Sequence, residues 1–146
     1  MDRLMINLRN LIRDDLKIQV DEIWRKAKSF HEKQKGDNIN GREHCLAVER
    51  NIGKLIAYNN NYKKLNQTEL FLLDTSACLH DIGKTIENKI NLWNYDHGQI
   101  SKKLILENHE QLGLELVQAV FIGHIVSVHV TGNVNELPQG RKALGM

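Results

Sequence analysis

The chain reads as an all-α helical bundle, and three observations predict it. Apolar residues recur at three- and four-residue spacing over nearly the whole length. Three segments open with a capping box, a short polar residue followed three positions later by Glu or Gln. A single proline, Pro138, leaves long helices uninterrupted.

The elements follow in order. The first stretch carries Leu4, Leu8, Leu11, Ile12, Leu16, Val20, Ile23, Trp24, Ala27 and Phe30. This rhythm allows one long helix or two, with Asp14-Asp15 as the candidate break. Asn40 with Glu43 predicts a helix to about Tyr58, Asn66 with Glu69 one to about Lys84, and Asp96 with Gln99 one to about Asn108. A further helix is expected from about Leu114 into the 120s. The β-branched run Ile125-Val126-Ser127-Val128-His129-Val130 admits either its continuation or an extended segment. Asn59-Asn60-Asn61 reads as a turn, and the tail from Gly132 as loop. The expected organisation is one domain over 1–146: an N-terminal helical segment (1–39), a core set of helices (40–130) and a loop-like tail (131–146). A chain of 146 residues is long enough for one real core.

Composition narrows the function. Twenty basic residues against 18 acidic ones give a net charge of +2, so no global field points to nucleic acid or membrane. Lys63-Lys64 and Lys102-Lys103 read as solvated helix surface. No apolar run is long enough to span a bilayer, and the N-terminus lacks a signal-peptide pattern. Cys45 and Cys78 fall among helix core positions, where they pack as small apolar groups rather than form a disulfide; a cytoplasmic location fits.

The histidines are placed selectively. His44 shares a helical face with Val48, Ile52 and Leu55; His80 with Leu70, Leu73 and Ala77; His97 with Ile100 and Leu104; His124 with Leu114, Val117 and Phe121. Four helices thus each direct one imidazole toward the interior, whereas His31 and His109 lack such a context. A lone inward histidine is usually a hydrogen-bonded core residue. Four of them beside Asp81, in the run Ala77-Cys78-Leu79-His80-Asp81-Ile82-Gly83-Lys84, are satisfied together most simply by convergence on metal. Lys84 follows Asp81 by three residues and His80 by four, on the same helical side. Its plainer role is to complement a helix C-terminus. Asp96 reads as an N-cap. Tyr58, Trp93 and Tyr95 read as packing residues.

The order His44, His80-Asp81 within Leu-His-Asp-Ile-Gly-Lys, Asp96-His97-Gly98-Gln99-Ile100-Ser101 and Phe121-Ile122-Gly123-His124 resembles the HD superfamily of metal-dependent phosphohydrolases over about residues 40 to 130. The resemblance implies an HD-domain helical bundle. It implies His44, His80 and Asp81 as ligands of a first metal, His97 and His124 as ligands of a second with Asp81 bridging, and Asp81 and Lys84 as catalytic groups, with Lys84 on the substrate phosphate. It also implies hydrolysis of a small phosphorylated substrate, nucleotides included. Mixed His/Asp ligation suits one or two ions of Mn, Fe, Ni or Zn better than Mg or Ca. Two departures stand out. The family pattern closes with an aspartate on a later helix, but no aspartate follows Asp96, and Glu136 is the only acidic residue beyond His124. This is compatible with truncation at the C-terminus. The last segment also has His124 alone, with His129 five positions on, where some members pair two histidines. A module that binds metal or nucleotide without turnover is therefore the alternative to a hydrolase. Di-iron oxygenase chemistry has no feature in its favour here. The apolar N-terminal helix could cover the bundle or form the seam of a homodimer.

Overall fold

The computed structural model describes residues 7–33, 41–58, 63–83 and 97–128, with the backbone alone at His97. Asn7 caps a short 3-10 turn, Leu8–Leu11, by accepting from the Arg9 N–H at 2.9 Å. The chain then extends through Ile12 and Arg13 before α1 (Asp14–Lys26). The N-terminal break thus falls just before Asp14-Asp15. Both carboxylates lie in the first turn of α1, and Arg25 and Lys26 in the last, each complementing the helix dipole. Ala27 ends α1 but stays in the right-handed helical region, and α2 (Lys28–Lys33) continues with the His31 N–H on the Ala27 carbonyl at 3.0 Å.

Three longer helices and a shorter one complete the described bundle. They are α3 (Gly41–Ala57), α4 (Gln67–Leu79), α5 (His97–Glu107) and α6 (Leu116–Ser127), and no strand occurs among the described residues. The capping box at α4 forms as expected, with Asn66 Oδ1 accepting from Glu69 N–H at 2.8 Å and Glu69 Oε1 from Asn66 N–H at 3.0 Å. Helix α4 is the axis of the bundle. It packs against α1, α3 and α6 and is buried on most of its circumference. It stops at Leu79, five residues earlier than its apolar pattern suggested, because the chain turns through His80 and Asp81 into a single tight turn at Ile82-Gly83. Lys84, the end predicted for that helix, lies outside the described residues, as do Asp96, Trp93, Tyr95, His129, Glu136 and the tail.

Helices α5 and α6 form a close pair. Gly123 lets them approach, since a Cβ there would come within 3.1 Å of Lys102 Cγ. Their connection turns at Gly113, whose φ of +83° suits glycine. The imidazole of His109 donates from Nδ1 to the Leu114 carbonyl at 2.9 Å and secures the same turn. A capping box missed by the sequence reading, Glu115 with Gln118, opens α6. The β-branched run continues as helix to Ser127, with Val128 as its C-cap.

The N-terminal helices cover the bundle. Val20, Ile23, Trp24 and Ala27 are buried in the same cluster as Phe71, Leu79 and Ile122. Polar contacts fasten this layer. Arg9 makes a paired contact with Glu49, Nε to Oε2 at 2.9 Å and a terminal nitrogen to Oε1 at 3.0 Å. Its guanidinium lies 4.6 Å from the Trp24 ring centre, and Trp24 Nε1 donates to Asp74 Oδ1 at 2.7 Å. Asp74 and Glu49 are buried carboxyl groups, and Asp74 Oδ2 has no hydrogen-bond donor among the described residues. Burial first, then the adjacent Glu49 carboxylate, hold the Asp74 carboxyl well above the usual carboxylate range. A protonated Asp74 becomes a donor to Glu49, which satisfies that oxygen. No described helix is long and apolar enough to cross a membrane.

Candidate metal centre

Two helix termini build the site. Helix α3 presents His44 from its first turn. Helix α4 presents His80 as its C-cap residue and Asp81 just beyond. His80 and Asp81 are sequence neighbours, yet the turn that ends α4 lets both face the same point. His44 Nε2, His80 Nε2 and Asp81 Oδ2 form a triangle with all three sides at 3.2 Å. Ligands about 2.1 Å from a common ion lie about 3.0 Å apart on octahedral edges and about 3.4 Å apart on tetrahedral ones. The three atoms therefore have the spacing of adjacent ligands on one ion, and they form a group able to hold a metal.

Hydrogen bonding prepares one ligand for this role. The His80 Nδ1–H donates to the Ala77 carbonyl at 2.8 Å, which leaves the Nε2 lone pair directed at the triangle. Asp81 is buried, with a side chain 5% exposed, beside the His44 and His80 imidazoles. His44 is 44% exposed, which opens one side of the group to solvent. A transition-metal ion matches the donor set: two imidazole nitrogens with one carboxylate.

His44 does not lie on the buried stripe of its helix, as the sequence pattern implied. The stripe is Gly41, Cys45, Glu49, Gly53 and Ala57, while Leu55 is 70% exposed. Glu49, polar by type, is buried because Arg9 pairs with it. The whole stripe is displaced from His44. The site needs His44 on this flank, facing the α4 terminus.

The remaining candidates stand differently. His124 is not part of the triangle. It is half-buried on α6, where burial and the Lys102 ammonium lower its pKa. Val117, one of the residues placed on its face, is 58% exposed. His97 begins α5, but its side chain lies outside the described residues, as does all of Lys84. Cys45 and Cys78 are both buried, and neither forms a disulfide among the described residues.

Two residues near the centre escaped the sequence reading. Ser101, fully buried on α5, accepts from the Gly83 N–H at 2.7 Å and so anchors the loop that follows Asp81. His31 is 1% exposed rather than free of the core. Its spacing, four residues after Ala27 and seven after Trp24, was the available signal. Burial chiefly lowers its pKa.

A helical bundle carrying His and His-Asp at facing helix termini defines an HD-type domain. The HD-CE family model matches residues 37–123, more than half of the chain, and the protein belongs to that family. The match includes His44, His80 and Asp81; it begins after α2 and ends one residue before His124. No curated protein and no solved structure matches the chain.

Proposed function

We propose that the protein is a metal-dependent phosphohydrolase acting on a small phosphorylated substrate, nucleotides included, at a His/Asp centre with one or two ions. The observation that carries this reading is the 3.2 Å triangle of His44 Nε2, His80 Nε2 and Asp81 Oδ2. Family membership and the ligand chemistry support it. Mn, Fe, Ni or Zn suits these donors. When bound, such an ion supplies Lewis acidity toward phosphoryl oxygen and a water of lowered pKa.

The chain's residues have distinct parts in this reading. Asp81 brings a buried negative charge that favours a cation and, as a second-oxygen donor, suits a bridging position. His80 is oriented by its bond to Ala77. His44 lines the exposed side, where substrate would enter. His97 and His124 are the proposed ligands for a second ion. Lys84 is the proposed phosphate contact, its ammonium offsetting charge that develops on the phosphoryl oxygens.

The test is hydrolysis of p-nitrophenyl phosphate and bis-p-nitrophenyl phosphate with Mn²⁺, Ni²⁺ or Fe²⁺ added. Metal-dependent turnover that disappears in Asp81→Ala supports the proposal. A second reading rests on the same three residues, which can hold a metal whether or not turnover follows. In that case the protein binds metal or nucleotide as a sensor or partner module. Stabilisation by metal or nucleotide without turnover of either ester would select this reading and overturn hydrolysis.

A further inference from the structure

The last turn of α4 leaves carbonyl groups without intrahelical partners, as every helix C-terminus does. Two imidazoles take two of them. His80 Nδ1 bonds the Ala77 carbonyl, and His31 Nε2 lies 2.7 Å from the Cys78 carbonyl. The other ring nitrogen of His31 is 3.2 Å from an Arg42 guanidinium nitrogen. A guanidinium only donates, so His31 Nδ1 accepts and the proton sits on Nε2, where it is donated to Cys78. Arg42 is two residues before His44, and the same nitrogen also donates to the Trp24 carbonyl at 2.9 Å. One fully buried imidazole thus ties the end of α4, which carries His80 and Asp81, to the first turn of α3, which carries His44.

We infer that His31 is a positioning residue for the metal centre, setting the separation between His44 and the His80-Asp81 pair through Arg42 and the Cys78 carbonyl. It lies on α2, before the first residue of the family match. The N-terminal helices are therefore part of the site's construction as well as a cover for the core. This inference rests on the reading of His44, His80 and Asp81 as metal ligands.

Titration of the purified 146-residue chain with Co²⁺, followed by calorimetry and by its visible d–d bands, tests it without reference to turnover. His31→Ala is expected to weaken Co²⁺ binding about tenfold and to shift the bands, the effect typical of losing a group that orients a ligand. His31→Gln is expected to restore binding to within about threefold, since its amide can donate to Cys78 and accept from Arg42. Leu112→Ala, which opens a buried site away from the ligands, is the stability control. It should lower the melting temperature and leave Co²⁺ affinity unchanged. Unchanged affinity in His31→Ala, or an equal loss in Leu112→Ala, overturns the positioning role. If His31→Ala does not fold, Arg42→Met takes its place: weaker binding supports the role and wild-type binding overturns it. A wild-type chain that binds no Co²⁺, or a His44→Ala chain that binds it as well as wild type, removes the metal-ligand reading itself. Wild-type binding that His44→Ala abolishes and His31→Ala leaves intact removes only the inference about His31.

Discussion

Asp74→Asn is expected to stabilise the protein, and increasingly so as pH rises. The buried Asp74 carboxyl accepts from Trp24 Nε1 on one oxygen and faces Glu49 with the other. Its folded-state pKa is raised, so the folded chain holds this proton more tightly than the unfolded chain does. Stability from this group is therefore fully present at low pH. It is lost as pH climbs from the usual carboxylate range through the raised folded value. Within that window the loss is about 1.4 kcal/mol per pH unit, the linkage slope for one proton. Asparagine is uncharged at every pH, keeps the acceptor for Trp24 and offers an N–H to Glu49. The part of the slope that comes from Asp74 should vanish in the variant. His31, whose pKa is lowered by burial, contributes in the opposite sense, its stabilisation fading as pH falls below the usual histidine range. It is common to both proteins and cancels in their difference. Urea unfolding of the two proteins from pH 4.5 to 8 measures that difference. A free-energy gap that widens with pH in favour of the asparagine variant, then levels, is the expected result. A gap independent of pH, or one that favours wild type at pH 8, refutes a proton held on Asp74.

Other substitutions probe the frame around the centre. Gly113→Ala should cost about 1 kcal/mol, because the turn between α5 and α6 holds φ at +83° while leaving space for the methyl group; thermal unfolding reads this directly. Ser101→Ala leaves the buried Gly83 N–H without its partner, at a cost of about 1–3 kcal/mol. It should also reduce turnover of any phosphoester substrate by loosening the loop after Asp81, measured by steady-state kinetics. Mn²⁺ or Ni²⁺ at about a hundred times its dissociation constant should stabilise wild type by about 2.7 kcal/mol, reversibly with chelator, and should leave Asp81→Ala unaffected in a melting experiment.

Much of the helical order was legible because the signals are local. The Asn66–Glu69 box places the start of α4 to the residue, the Asn40–Glu43 and Asp96–Gln99 patterns place α3 and α5 to within a residue or two, and apolar spacing places α6 to within a few positions. The grouping of His44, His80 and Asp81 is what the family resemblance implies; the helical face read for His44 is not the buried one. What was not legible depends on distant partners. Glu49 is charged by type, yet it is buried where Arg9, forty residues away, reaches it. Its burial moves the inward stripe of α3 away from His44. His31 reads as isolated because its partners, Arg42 and the Cys78 carbonyl, belong to other helices. The end of α4 was overestimated because Ile82 and Gly83 are buried in a tight turn rather than a helical one, and apolar burial looks alike in both.

The most direct test of the metal centre is an anomalous difference map from crystals grown with Mn²⁺ and measured at the Mn edge. The expected map has a peak bonded to His44 Nε2, His80 Nε2 and an Asp81 carboxylate oxygen, with the His80 Nδ1 bond to Ala77 retained. A map without a peak at these three atoms, from crystals saturated with the ion, would contradict the assignment of His44, His80 and Asp81 as metal ligands.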